Sequence, residues 1–142
     1  MSIKVASRIN MIALSYRFLK ISLWVFVNSF APHLWVSVVT VFIEKNRAAA
    51  EVIKTNIKTL GLDGAVKVCL VSKYEDDQVY NLVFADPPYD KFDLEEVLHL
   101  VKFVGENGIF VLSHPGEAPE LPGLRLWKSN QYAGATISIY QR

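Results

Sequence analysis

The run Asn81-Leu82-Val83-Phe84-Ala85-Asp86-Pro87-Pro88-Tyr89 places one carboxylate, two prolines and a phenol directly after an apolar, strand-like stretch. In open α/β sheets ligands bind beyond the carboxyl ends of the strands, and Asp86 falls there. Two prolines fix φ and remove two backbone donors, which leaves rigidly directed carbonyl acceptors. An acceptor-rich corner beside an aromatic ring suits a flat base bearing an amino group. Such an exocyclic amine is a poor nucleophile, because its lone pair is delocalised into the ring. Asp86 and the Pro87 carbonyl are placed to accept its two N–H bonds. That favours an sp³-like nitrogen and stabilises the positive charge that develops as it attacks. Tyr89 would stack on the base and hold it in line with the electrophile. The plainer alternative is a Pro-Pro turn in which Asp86 makes a local turn bond.

A second acid follows an apolar strand in Val41-Phe42-Ile43-Glu44-Lys45-Asn46. An acid at the end of the second strand of a nucleotide-binding sheet commonly accepts ribose hydroxyls, and Glu44 is placed for that. It would equally serve as a helix N-terminal acid that complements the dipole. Ser72, after the stretch Ala65 to Val71, holds a spot from which an acid often bonds an adenine amino group. A serine hydroxyl is a weaker substitute there, and an ordinary strand-to-loop serine is the competing reading. His33, His99 and His114 stand alone in sequence and Cys69 is the single cysteine, so no metal-ligand spacing occurs and no metal is expected.

Positioning these residues requires a sheet. Val36 to Ile43 is β-branched and aromatic, as in a buried strand. Asn46 is expected to cap a helix from Arg47 to Leu60, with Ala49, Val52, Ile53, Ile57 and Leu60 inward and Gly61 closing it. Ala65 to Val71 and Val79 to Ala85 read as strands, separated by a solvated loop at Glu75-Asp76-Asp77-Gln78. Asp93 and Glu96 form a capping pair for a helix through Val104, with Leu94, Val97, Leu98 and Val101 inward. Gly105 to Gly108 reads as a turn and Ile109 to Ser113 as a strand. The Pro/Gly-rich stretch His114 to Gly123 is a loop. Leu124 to Lys128 and Ala135 to Tyr140 close the chain as an antiparallel hairpin joined by Asn130 to Gly134. Strands alternating with helices predict an α/β chain: a parallel, Rossmann-like sheet with a C-terminal antiparallel hairpin.

The 142 residues suffice for one domain, and a 51% hydrophobic composition supplies a core rather than a disordered chain. A lone cysteine cannot form an internal disulfide, which points to a cytoplasmic protein. The net charge of +1 says nothing by itself, but its distribution is uneven. Before Glu44 the chain carries Lys4, Arg8, Arg17 and Lys20 and no acid; all 14 acids lie from Glu44 onward. This break divides the chain into a divergent apolar and basic segment, 1–40, and a second part, 41–142. The basic part could meet phosphate. Ile21 to Ile43 carries no charged side chain and is long enough to span a bilayer, but Asn28, Pro32 and His33 interrupt it. It reads better as two short apolar runs, Ile21 to Val27 and Leu34 to Ile43. No small-residue cleavage site follows, so a signal peptide is not expected.

The residues from Val39 to Leu62, the Asp86-Pro87-Pro88-Tyr89 motif and the ending from Tyr132-Ala133-Gly134-Ala135-Thr136 to Tyr140 together resemble the RsmD-type methyltransferases. Phe42-Ile43-Glu44-Lys45-Asn46 is similar to that family's second-strand motif, and Glu120-Leu121-Pro122-Gly123-Leu124 to its stretch before the hairpin. The resemblance implies a class I, Rossmann-like methyltransferase with S-adenosylmethionine as donor. It implies guanine N2 of small-subunit ribosomal RNA as acceptor. By position, Glu44 would hold the cofactor ribose, while Asp86, Pro87 and Tyr89 would hold the base. Asp-Pro-Pro-Tyr is shared with DNA adenine-N6 methyltransferases, so the motif does not fix the base.

The family starts its sheet with a strand and a glycine-rich turn around the methionine part of the cofactor. Here the first glycine is Gly61. If Ile21 to Val27 were the first strand, only about eight residues would reach Val36, where a parallel crossover needs a dozen or more. The first βα unit is therefore expected to be truncated, decayed or frame-shifted, with weak or absent cofactor affinity. The central sheet would also lose its middle strand unless the N-terminal segment replaces it, and an exposed edge there would favour poor solubility or a dimer. Three alternatives remain open: a DNA adenine methyltransferase, an inactive remnant that binds RNA or protein, and a small membrane protein using residues 21–43.

Overall fold

The computed structural model describes residues 8–14, 37–61 and 63–142; of 8–14 and 37–39 it gives the backbone. The expected apolar run Ile21 to Val27 and its break at Asn28 to Pro32 lie outside the described residues. The elements are β1 (Arg8–Leu14), β2 (Ser37–Ile43), α1 (Arg47–Leu60), β3 (Asp63–Lys67), β4 (Tyr80–Ala85), α2 (Leu94–Val101), β5 (Val104–His114), β6 (Arg125–Tyr132) and β7 (Ala135–Gln141). They form one seven-stranded sheet in the order β3-β2-β1-β4-β5-β7-β6. The first five are parallel, and the β6–β7 hairpin is antiparallel to its neighbours. This is the Rossmann-like parallel sheet with a C-terminal antiparallel hairpin expected from the sequence.

The middle strand of the sheet comes from the N-terminal segment. Arg8–Leu14 fills the place between β2 and β4, pairing along its whole length with β2 and through Met11 to Leu14 with β4. The connection from Leu14 to Ser37 is long enough for a parallel crossover. The N-terminal segment thus replaces the middle strand, the exposed edge that its loss would have left is absent there, and the sheet draws strands from both sides of residue 40. Nothing in the basic, glycine-free start had marked that strand. Among the described residues no helix is long and apolar enough to cross a membrane.

α1 forms where expected because both ends are fixed locally. The Asn46 side chain accepts from Ala49 N–H at 3.1 Å, and Gly61 closes the helix at φ 62°, a left-handed turn that costs glycine little. Its buried face is Ala50 and Ile53, with Ile57 packed beside Phe42 and Val66. Val52 and Leu60 are exposed instead, since among the described residues the face that packs on Phe42, Val66 and Phe84 is that of Ile53 and Ile57. α2 stops at Val101 and buries Val97, Leu100 and Val101 against Val83, Phe110 and Leu112; Leu94 and Leu98 are exposed. The α2 side holds most of the core.

β3 ends at Lys67, earlier than expected, and Val71–Lys73 is a 3-10 turn. The expected turn at 105–108 survives as an interruption of β5. Tyr80 pairs with Val104, then the ladder resumes at Leu82 with Ile109, and Asn107 takes φ 57°. A Cβ on Gly108 would meet the Gly105 carbonyl at 2.7 Å, so only glycine fits this loop.

Asp76, read as a solvated loop acid, is instead a structural acceptor. Its Oδ2 takes the hydroxyls of Tyr74 at 2.6 Å and Tyr80 at 2.7 Å, and its Oδ1 takes Gln78 N–H at 3.0 Å. Both tyrosines are almost fully buried. Each hydroxyl has one proton to give, so the 2.9 Å approach of the two phenol oxygens follows from sharing one carboxylate. Burial pushes the Asp76 carboxyl up, but the hydrogen bonds outweigh it and hold it below the ordinary 3.8. Burial and the Asp76 bond push Tyr80 up to about 12. A carboxyl with a depressed folded pKa stabilises the fold above its unfolded pKa and loses that contribution as pH falls through the folded value. Asp76→Asn is therefore expected to cost about 1.5–3 kcal/mol at pH 7, the range for a hydrogen bond to a charged group. The gap should narrow below pH 3.8. Urea unfolding at the two pH values reads this; an equal cost at both would refute it.

Candidate functional site

The chain winds from β1 through β2 to β3 on one side and places β4 and β5 on the other. The reversal lies between β1 and β4, the position at which open α/β sheets bind ligands. Leu14 at the end of β1 pairs with Ile43 on one side and Ala85 on the other. Glu44 and Asp86, the next residues in their strands, thus stand level across the end of β1, about 10 Å apart on strand spacing.

A cleft opens there, lined by Glu44, Cys69, Leu70, Pro87, Pro88 and Lys91 among others. Glu44 is 4% exposed. Its backbone N–H continues the ladder to the Lys67 carbonyl at 3.0 Å, and its Oε1 accepts from Asn46 N–H at 2.7 Å. A buried carboxylate held by a loop amide is fixed in direction and ready to accept hydroxyls.

Asp86 is partly buried, and Pro87 is buried beside it. Burial pushes the Asp86 carboxyl above its usual range, while the Ser113 hydroxyl, donating to it, pulls the other way. Ser113 Oγ also meets the Tyr89 hydroxyl. One proton per hydroxyl gives a single direction: Tyr89 donates to Ser113, and Ser113 donates to Asp86. The acid and the ring of the motif are joined through a residue on the neighbouring strand. This is not the local turn bond that the plainer reading requires. Pro88's carbonyl accepts from Lys91 N–H at 3.1 Å, so of the two proline carbonyls the Pro87 one is the candidate for a base. Tyr89 is 38% exposed, its ring open to a stacking partner.

Ser72 is not brought to the cleft. β3 ends early, the 3-10 turn leaves Ser72 exposed, and Cys69 and Leu70 occupy the position after the strand. Their apolar surface suits an adenine face better than a hydroxyl would. Ser113 was missed by sequence reasoning because its role depends on β5 lying beside β4, which no local pattern states. Next to it, His114 is fully buried, with Nε2 against Ser138 Oγ at 2.8 Å and Nδ1 against the Pro115 carbonyl at 3.0 Å. That satisfied histidine fixes the end of β5.

In Ser113→Ala the Asp86 carboxyl should titrate higher than in the native chain, since burial is then unopposed by the hydroxyl. Carboxyl ¹³C shifts against pH read this directly. An unchanged or lower midpoint would show that the hydroxyl does not serve Asp86.

The sequence model of the family Conserved hypothetical protein 95 matches residues 37–141. The chain belongs to that family. The match agrees with the family-level part of the resemblance read from the motifs. A comparison with curated proteins finds no match. Among solved structures, yhhF of Escherichia coli, a protein assigned as a methyltransferase, is 18% identical, with a TM-score of 0.72 over 93% of this chain and 75% of its own. A conserved hypothetical protein of Streptococcus pyogenes is 20% identical, with a TM-score of 0.68 over 96% of this chain and 87% of its own. PKMT2 of Rickettsia typhi, solved in complex with AdoHcy, is 14% identical, with a TM-score of 0.57 over 74% of this chain and 20% of its own. At these identities the likeness is one of fold.

Proposed function

We propose that this member of the Conserved hypothetical protein 95 family is an S-adenosylmethionine-dependent methyltransferase acting on an exocyclic amino group of an RNA base. Guanine N2 of small-subunit ribosomal RNA is the acceptor implied by the motifs. The observation that carries the reading is the level placement of Glu44 and Asp86 on either side of the central strand, with Glu44 and Pro87, the residue after Asp86, lining one cleft. The donor set fits the nucleoside half of the cofactor: a buried carboxylate for the ribose, and Cys69 and Leu70 for the adenine face. Bound there, S-adenosylmethionine would supply an electrophilic methyl group. The family's glycine-rich turn for the methionine half of the cofactor has no counterpart in the sequence, whose first glycine is Gly61. Cofactor affinity is therefore proposed to be weak.

The chain's own residues do the rest. Asp86 and the Pro87 carbonyl accept the two N–H bonds of the target amine, which directs its lone pair outward. The raised basicity of Asp86 makes it a better proton acceptor as charge develops on nitrogen. Tyr89 stacks on the base, with its hydroxyl tethered through Ser113. No metal and no covalent intermediate are called for.

The test is incubation of the purified chain and labelled S-adenosylmethionine with small-subunit ribosomal RNA, with digestion to nucleosides. N2-methylguanosine is the expected product. Methyl label in N6-methyladenine of DNA, and none in RNA, would move the reading to the DNA alternative. The glycine-free start favours one further reading, an inactive remnant that retains RNA binding; RNA binding without any cofactor binding would select it.

A further inference from the structure

β6 is unlike the rest of the sheet, because all eight of its residues are exposed. Among the described residues it is an edge strand, paired with β7 alone. Trp127 is 65% exposed, Tyr132 58% and Leu126 46%. Arg125 and Lys128 are interleaved with these rings, and Ser129, Asn130 and Gln131 offer further polar groups. After Glu120 the chain carries no acid, while Arg125, Lys128 and Arg142 supply positive charge. Exposed rings cost solvation unless something covers them, and their alternation with cations and amides is poorly suited to an apolar partner.

We propose that β6 is a stacking platform for a single-stranded polynucleotide. Aromatic faces accept any base by stacking, and the interleaved cations meet the backbone phosphates. The strand is about 26 Å long, enough for several stacked bases. Its direction ties it to the site. Tyr132 pairs with Ala135, and Thr136 next to it pairs with both Gln131 and His114. The Tyr132 end therefore lies at the same end of the sheet as Ser113, two strand spacings or about 10 Å from β5. A strand laid along β6 leads toward the corner of Asp86, Ser113 and Tyr89. That last point rests on the methyltransferase reading; the platform itself does not. A second copy of the chain is the less suitable occupant. The ladder is interrupted at Trp127, between Leu126 and Lys128, and charged residues flank it, both of which oppose edge-to-edge pairing.

The experiment is fluorescence anisotropy of a labelled, unstructured RNA oligonucleotide of about a dozen nucleotides with the full chain, at several salt concentrations. A DNA oligonucleotide and an RNA duplex are the comparisons. Native chain should bind both single strands more tightly than the duplex, and RNA should quench its tryptophan emission by an amount that Trp127→Ala, which keeps Trp24 and Trp35, loses. Trp127→Ala and Tyr132→Ala should each weaken binding roughly tenfold, within the usual range for one stacked base. Lys128→Ala should lower the salt slope by about one. Circular dichroism and the thermal midpoint of these surface variants should match the native chain, and their affinity for S-adenosylmethionine should be unchanged. Native binding absent at low salt, or equal binding by Trp127→Ala and Tyr132→Ala, would overturn the platform. So would a dimer through β6 that RNA does not disturb. The expected losses in a chain that transfers no methyl group would support the platform and sink the enzymatic reading alone.

Discussion

Asp86→Ala is expected to lower methyl transfer by at least roughly 10²–10³-fold, the usual loss when one group aimed at developing charge is removed. The loss should fall on kcat more than on KM, because the interaction strengthens only as the amine nitrogen becomes positive. The fold should survive, since Asp86 is only partly buried and closes no core contact. Stability gives an independent check through Asp86→Asn. Burial raises the folded carboxyl above its ordinary 3.8. Such a group stabilises the fold when protonated, and that contribution is lost as pH rises through the folded pKa. At pH 7 the buried charge is a net cost, so the amide should raise the urea midpoint relative to native. The difference should shrink as the solution is acidified toward pH 3.8. Turnover within a few-fold of native in Asp86→Ala would remove the acid from the site. A lower midpoint for Asp86→Asn at pH 7 would remove the account of its burial.

Glu44→Ala is expected to raise the cofactor Kd roughly tenfold or more, as for a lost charged acceptor. The same change leaves Asn46 N–H without its partner at the start of α1, so some loss of stability should accompany it. Glu44→Gln separates the two effects. Its side-chain oxygen can still accept from Asn46, so stability should be near native while the cofactor Kd rises. Calorimetric titration of the three chains reads this. A native Kd in both variants would leave Glu44 with only its local role at the helix start.

What the sequence showed and what it hid divide along a physical line. α1 was legible to the residue, because Asn46 and Gly61 are local signals that act within one turn. The place of Asp86, Pro87, Pro88 and Tyr89 at the end of β4 was legible because the apolar run that makes the strand stops directly before them. Non-local facts were not legible. β1 is a short strand in a basic, glycine-free stretch, and only its pairing with both β2 and β4 makes it central. Ser113 became part of the site through β5 lying beside β4. Asp76 looked like one of several loop acids until the fold brought Tyr74 and Tyr80 to it. Ser72 failed for a related reason: the end of β3 is set by its ladder with β2, not by the apolar run that continues past it. The helix faces shifted for the same cause, since α1 and α2 each pack on one side of a sheet whose order no single segment encodes.

The central claim is that the cleft between Glu44 and Asp86 holds S-adenosylmethionine. Calorimetric titration of the purified full chain with S-adenosylmethionine and its demethylated product tests it most directly. The account predicts saturable but weak binding, with a Kd between roughly 100 µM and 1 mM, about −5.5 to −4.1 kcal/mol. No heat at ~1 mM ligand, from a chain shown by circular dichroism to be folded, would contradict it.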